Sequence, residues 1–206
     1  MQIDDKTISN FVSSLPNIKF DDCQNPWIYK EQRTNFEMFL KKYKSSKYIL
    51  IGEAPGRRGC LQSGVPFCDC HTLLEFLDKK DEKNTGKFLK ESSAQKIFKV
   101  FPCGFIAWNV FPIQPCKKNG ENRTPRSNEL ENGESFLFKF LDIFLIEGKD
   151  IILVGSMAKK YESKIRKKYQ SVKIKHIIHP SPRASNHWKI MGYESWEQYV
   201  KKVLNE

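Results

Sequence analysis

A three-layer α/β/α fold, with helices on both faces of a four-stranded, mainly parallel sheet, is what this sequence predicts, and three observations predict it. Short apolar runs recur along the chain: Tyr48-Ile49-Leu50-Ile51, Phe105-Ile106-Ala107-Trp108-Asn109-Val110, Ile151 to Gly155, and Ile174 to Ile178. Segments with helical spacing of apolar residues separate them, an alternation that favours parallel strands covered on both faces. Two of the runs pass directly into loops stiffened by Gly and Pro, each carrying one ionisable side chain. Open α/β sheets build their sites at such strand ends.

The elements follow in order. Residues 28–44 place Ile28, Phe36, Met38, Phe39 and Leu40 near helical spacing and lead into a strand at 48–52. The loop 53–69 is as long as structureless loops become in compact domains, and such loops are usually functional. His71 to Lys79 reads as a short helix with Leu73, Leu74 and Leu77 on one face, and the charged residues 80–96, with a turn at Asn84-Thr85-Gly86, read as a surface insertion. The second strand is ended by Pro112 and Pro115. After a polar, basic loop, Ser127 reads as the N-cap of a helix through Phe136, Phe140, Leu141 and Phe144 to Gly148. The third strand, Ile151 to Gly155, is followed by a basic helix over Ser156 to Tyr169, the fourth strand by a closing helix over Tyr193 to Leu204. There is no internal repeat and no dividing linker, so residues 1–206 are expected to form one domain, with 1–46 as an N-terminal helical part.

The net charge of +11, interleaved with 13% aromatic residues, favours a polyanionic partner, most often nucleic acid. No stretch approaches the ~20 apolar residues that span a bilayer, and the acidic, polar start Met1 to Asp5 is unlike a signal peptide. No membrane contact and a cytoplasmic location are expected, with the six cysteines as reduced thiols.

Two motifs carry the chemistry. Gly52-Glu53-Ala54-Pro55-Gly56 follows the first strand, and His179-Pro180-Ser181-Pro182-Arg183 follows the fourth. Either alone could be a tight turn with a solvated or capping side chain. A carboxylate and an imidazole at the ends of strands in one sheet are also equipment for bond cleavage.

Taken together with Gln62-Ser63-Gly64-Val65-Pro66-Phe67, these motifs resemble the uracil-DNA glycosylase superfamily, and the resemblance runs from about residue 48 to 200. Gly52-Glu53-Ala54-Pro55-Gly56 and Asn122-Arg123-Thr124-Pro125 are similar to its iron–sulfur branch. Gly59, the spacing to Phe67, and His179 to Arg183 followed by Asn186 and Trp188 look like its single-strand-selective monofunctional branch. The resemblance implies base flipping and hydrolysis of an N-glycosidic bond. Glu53 would orient water and face the oxocarbenium-like sugar. His179 would stabilise the departing base anion near its O2.

Phe67 would stack on the extruded base, and the Asn109 amide would read its edge. Gly59, lacking a side chain, would leave room at C5 for a substituent. Pro182 and Arg183 would approach the duplex where a nucleotide is extruded, and Ser181 and Ser185 would contact phosphates. The expected partner is DNA, bound by a monomer.

The iron–sulfur branch carries four cysteine ligands. This chain has only Cys23 in the N-terminal part, and Ser135 stands near the place of the last ligand, so no cluster and no other cofactor is expected. Cys60, Cys68, Cys70 and His71 could form a zinc site, but Cys-x-Cys is not the usual finger spacing, and no metal is expected. The function expected is a monofunctional DNA glycosylase acting on uracil or a C5-modified pyrimidine, in repair or in destruction of foreign modified DNA. The alternative is an inert nucleic-acid-binding protein on the same fold. A phosphate-binding enzyme is disfavoured by the lack of Gly-x-Gly-x-x-Gly and phosphate-loop signatures.

Overall fold

A computed structural model describes residues 3–76 and 90–205. The N-terminal part opens with α1 (Asp5–Ser14), whose start is capped by Asp4: its carboxylate accepts the Thr7 amide at 2.8 Å. Ile8, Phe11 and Val12 form its buried stripe. A two-residue strand, β1 (Cys23–Gln24), precedes α2 (Lys30–Tyr43), which ends at the Lys44 turn and delivers the chain to β2 (Tyr48–Gly52).

Next come α3 (Cys60–Ser63), α4 (Cys70–Phe76), α5 (Ser92–Val100), β3 (Ile106–Asn109) and β4 (Gln114–Pro115). The second half contains α6 (Ser127–Phe144), β5 (Asp150–Val154), α7 (Ser156–Lys159), α8 (Glu162–Lys168), β6 (Lys173–Ile177), α9 (Ser185–Ile190) and α10 (Trp196–Asn205).

The main sheet has the order β3-β2-β5-β6 with every pair parallel, and β1 pairs antiparallel with β4 in a separate ribbon. The expected α/β fold with four strands is therefore the observed one. All residues of β5 are buried, as a central strand covered on both faces requires, and so are all residues of the edge strand β3. Trp108 on β3 is stacked between Trp27 and Phe140, with ring centroids 5.1 and 5.2 Å away and planes within 11°. This aromatic column fixes β3 against the N-terminal part and α6. From β2 the chain crosses to β3 on one side and then returns to β5 on the other. The crevice outside the ends of β2 and β5 is thus the topological switch point, where ligands bind in open α/β sheets.

The structure differs from the sequence reading at three places. Residues 92–100 are a helix rather than surface insertion: Ala94, Ile97 and Val100 are buried on one face of α5, which packs on α10. The part of the expected insertion up to residue 89, and the expected helix beyond Phe76, lie outside the described residues. Ser127 is the first residue of α6 rather than its cap. The chain enters at Arg126, whose amide donates to the Glu129 carboxylate at 2.7 Å. The basic helix expected over 156–169 is broken at Lys160 and Tyr161, between α7 and α8.

Candidate active site

The site is built at the C-terminal ends of the parallel strands. β2 and β3 are in register with Gly52 opposite Asn109, and the ladder continues one step beyond the sheet. The Val110 amide donates to the Gly52 carbonyl at 2.9 Å and the Phe111 amide to the Glu53 carbonyl at 3.0 Å. Glu53 therefore leaves the sheet with its backbone already fixed. Its half-buried carboxyl is pushed up by desolvation and drawn partly back by the Lys160 ammonium. Lys160 stands in the break between α7 and α8, and charge composition alone gave no reason to single it out from the neighbouring lysines.

Gly52 brings Phe67 and Asn109 together. A Cβ at this position would stand 2.5 Å from Phe67 Cζ and 2.6 Å from Asn109 Oδ1, so both side chains close over the bare glycine. Phe67 has φ of 60°, a left-handed conformation that bulky residues adopt only when their surroundings impose it. Here the imposition is visible. The Ser63 hydroxyl donates to the Cys68 carbonyl at 2.6 Å and accepts from the Val65 amide at 3.0 Å, pinning both sides of Phe67. Gly64, itself at φ 80°, receives the Trp27 indole N–H on its carbonyl at 2.9 Å, and Asn35 donates to the Ser63 carbonyl at 3.1 Å. Strain of this kind, held by several independent bonds, marks functional loops. Asn109 is only 4% exposed, with its amide at the end of a buried strand.

His179 follows β6, two strand positions from β2. With strands about 4.8 Å apart, the ends carrying Glu53 and His179 flank a cleft on the order of 10 Å wide, with β5 as its floor. Gly155, at φ 89°, lies under the imidazole, and a Cβ there would be 3.4 Å from His179 Cβ. The Ser181 amide donates to His179 Nδ1 at 3.1 Å, which puts the proton of the neutral ring on Nε2. Burial pushes this imidazole down to about 4, so near neutral pH it is an uncharged Nε2–H donor. The base of the loop is held by α10: Tyr199 Oη accepts from the Ile178 amide at 3.3 Å, and the Trp196 indole donates to the Ile178 carbonyl at 2.7 Å.

Ser181, Pro182 and Ser185 line the chain leaving His179, with Pro182 exposed and Ser181 and Ser185 half-buried. Arg183 lies in the 3-10 turn Pro182–Ala184. His176 sits on β6 opposite Leu153, and its Nε2 is buried without a hydrogen-bond partner.

At Gly59 the expectation of open space is corrected. The carboxyl of Glu91, at the start of α5, fills the place that a side chain at Gly59 would take. Reading residues 80–96 as solvated concealed this group.

The Asn122-Arg123 motif acts on the same loop from the other side. Asn122 Oδ1 accepts the Arg57 amide at 2.9 Å and the Gln114 amide group at 2.7 Å. Arg123 is committed elsewhere, in two bonds of 2.6 and 2.7 Å to Glu129, close to the Cys23 sulfur. The guanidinium holds the Glu129 carboxyl below the usual carboxylate range. Among the described residues no group of three or more His, Cys, Asp or Glu side chains is arranged to hold a metal ion, and Cys60, Cys68 and Cys70 are buried thiols. A cavity of about 680 Å³ opens between Phe20, Tyr29, Gln62 and Ile113, away from Glu53, Phe67, Asn109 and His179.

The family model of the uracil DNA glycosylase superfamily matches residues 40–205, which takes in the whole main sheet and every strand-end residue described above. The chain belongs to the uracil DNA glycosylase superfamily. The fold agrees: the crystal structure of wild-type Pedobacter heparinus SMUG2 superposes with a TM-score of 0.64 at 18% identity, covering 97% of this chain and 99% of that one. No curated protein sequence matches the chain significantly. Membership places the chain among DNA glycosylases, with DNA as the partner its basic charge also favours. Among the described residues, no helix is long and apolar enough to cross a membrane.

Proposed function

We propose that this superfamily member is a monofunctional glycosylase that extrudes a pyrimidine nucleotide from DNA and hydrolyses its N-glycosidic bond. The observation that carries this reading is the closure of Phe67 and Asn109 over Gly52, with Phe67 held in a left-handed backbone conformation. An aromatic face beside an amide, at the switch point of the sheet, suits a flat heterocycle whose edge presents donors and acceptors.

Glu53 supplies the carboxylate on the sugar side. It orients the attacking water and faces the positive charge that develops as the glycosidic bond breaks. The neutral His179 Nε2–H supplies a preorganised donor for the base as it departs with negative charge, and such a donor needs no reorganisation during the reaction. The water adds to the sugar carbon, the bond to the base nitrogen breaks, and an abasic site remains. Ser181, Pro182, Arg183 and Ser185 face the DNA backbone and the gap left by the flipped nucleotide.

The substrate class is uracil or a C5-modified pyrimidine, in repair or against foreign modified DNA. A panel of oligonucleotides, each with one uracil, 5-hydroxymethyluracil or modified cytosine, tests the reading when abasic sites are cleaved with alkali. Excision of at least one base is expected, with Glu53→Gln slower by ~10²-fold or more and DNA affinity largely kept. A wild-type protein that binds every oligonucleotide and cleaves none would support the inert-binder alternative.

A further inference from the structure

Glu91 has no part in the chemistry above, yet it touches the loop that carries Glu53. Its Oε1 would lie 3.2 Å from a Cβ at Gly56, and its other oxygen occupies the position of a Cβ at Gly59, so the carboxyl lies flat on the two glycines of the turn. Its own amide donates to Asp69 Oδ2 at 2.7 Å, while Asp69 Oδ1 accepts the Thr72 amide at 2.7 Å, which joins the start of α4 to the start of α5. Further along α5, Lys96 Nζ donates to the Pro180 carbonyl at 3.3 Å, next to His179. One helix thus reaches both loops of the site.

We propose that Glu91 is a positioning residue that latches the Gly56–Gly59 turn, and with it Glu53, onto α5. The proposal rests on the glycosylase reading for its kinetic test, though not for its structural one. The groups facing the carboxyl are the Asp69 carboxylate, the Cys60 and Cys68 thiols and the Ser93 hydroxyl, which bonds to it, and no cation among the described residues opposes them. Desolvation and the Asp69 charge together push Glu91 up to about 7.

Below that pH the neutral carboxyl packs against the glycine Cα atoms at little cost. Above it the ionised group is repelled by Asp69 and draws towards water, leaving the turn unsupported. A carboxyl at this position couples loop closure to pH through a group that neither binds substrate nor exchanges a proton with it.

The test is the pH profile of single-turnover excision between about pH 5.5 and pH 9, together with hydrogen exchange of the Gly59 and Leu61 amides, both of which bond to the Gly56 carbonyl. Wild type is expected to excise about tenfold more slowly at pH 8.5 than at pH 6, with protection of both amides falling in parallel after correction for intrinsic exchange. Glu91→Gln, which keeps the shape but cannot ionise, should stay within about threefold of the wild-type rate at pH 6 and hold rate and protection flat across the range.

Glu91→Ala should be slow and weakly protected at every pH, which keeps the proposal testable should the glutamine variant fold poorly. An unchanged alkaline limb in Glu91→Gln, or wild-type protection that does not vary with pH, overturns the latch. Absence of excision by wild type counts against the glycosylase reading instead, and the exchange data still decide the latch.

Discussion

Gly52→Ala tests whether Phe67 and Asn109 form one working surface. The added carbon would stand 2.5 Å from Phe67 Cζ and 2.6 Å from Asn109 Oδ1, whereas non-bonded carbons settle about 3.5–4.0 Å apart. One or both side chains must retreat by about 1 Å. Neither can do so freely, because Phe67 is clamped through Ser63 and Asn109 sits at the end of a buried strand. A misplacement of about 1 Å at a reacting site costs on the order of 10²-fold in rate.

Stability should change far less. Overpacking costs ~1–3 kcal/mol, offset by ~0.4–1 kcal/mol from the stiffer unfolded chain, since Gly52 is not among the residues with positive φ. The expected result is excision ~10²-fold slower than wild type in single turnover, with Tm lowered by no more than about 10 °C. A variant with unaltered stability and a rate within about threefold of wild type would refute the argument that these two side chains must close over a bare glycine.

Lys160→Ala removes the charge that draws the Glu53 carboxyl back down, so Glu53 should ionise at higher pH and the acidic limb of the rate profile should move upward; a limb that stays in place would separate Lys160 from Glu53. For His179, the folded imidazole sits at about 4 against an ordinary 6.5, so as pH falls the unfolded chain takes up the proton first. The stability present above pH 6.5 is lost progressively towards pH 4, by roughly 3 kcal/mol. Glu91 contributes the opposite slope in an overlapping range, so the measurement is the difference between wild type and His179→Gln in denaturant melts at successive pH values. That difference should shift towards the variant as pH falls through this window, and no change in it would place His179 in a wetter environment.

The sequence was most legible where one periodicity dominates. β2, β3 and β5 are short, largely buried apolar runs ended by Gly52, Asn109 and Gly155, and their hydrophobic content places them in a covered parallel sheet, whereas β6 at the edge buries only Ile177 fully. Gly52-Glu53-Ala54-Pro55-Gly56 and His179-Pro180 were legible because glycine and proline at a strand end restrict what the next residue can do. What stayed hidden depends on contacts between segments far apart in sequence. Ala94, Ile97 and Val100 do form a helical stripe, but the charged stretch before them dilutes it, so residues 92–96 of α5 read as part of a surface insertion. Gly59 looked like room for a substituent because a missing side chain was taken for missing matter. Only the fold shows a carboxyl from 32 positions along the chain filling that space. Ser63 is a similar case: a serine in a loop has no signature, yet it holds the strained backbone of Phe67 from both sides.

The placement of the two ionisable groups explains why such bracing is needed. Glu53 and His179 stand on strands separated by β5, so the sheet fixes their spacing but not the direction in which either side chain leaves it. Direction is set by what grips each loop from outside the sheet. For His179 the grip is the Ser181 amide on Nδ1, with Tyr199 and Trp196 behind it. For the loop of Glu53 it is Asn122 on one side and Glu91 on the other. Four of these grips use neutral donors or acceptors that do not titrate near pH 7: the Ser181 amide, the Tyr199 hydroxyl, the Trp196 indole and the Asn122 amide. Glu91 alone among them changes charge in that range. The rigidity of the cleft should therefore be asymmetric with pH, constant around His179 and variable around Glu53, and exchange protection that fell equally in both loops would point to general loosening of the sheet rather than to the Glu91 contact.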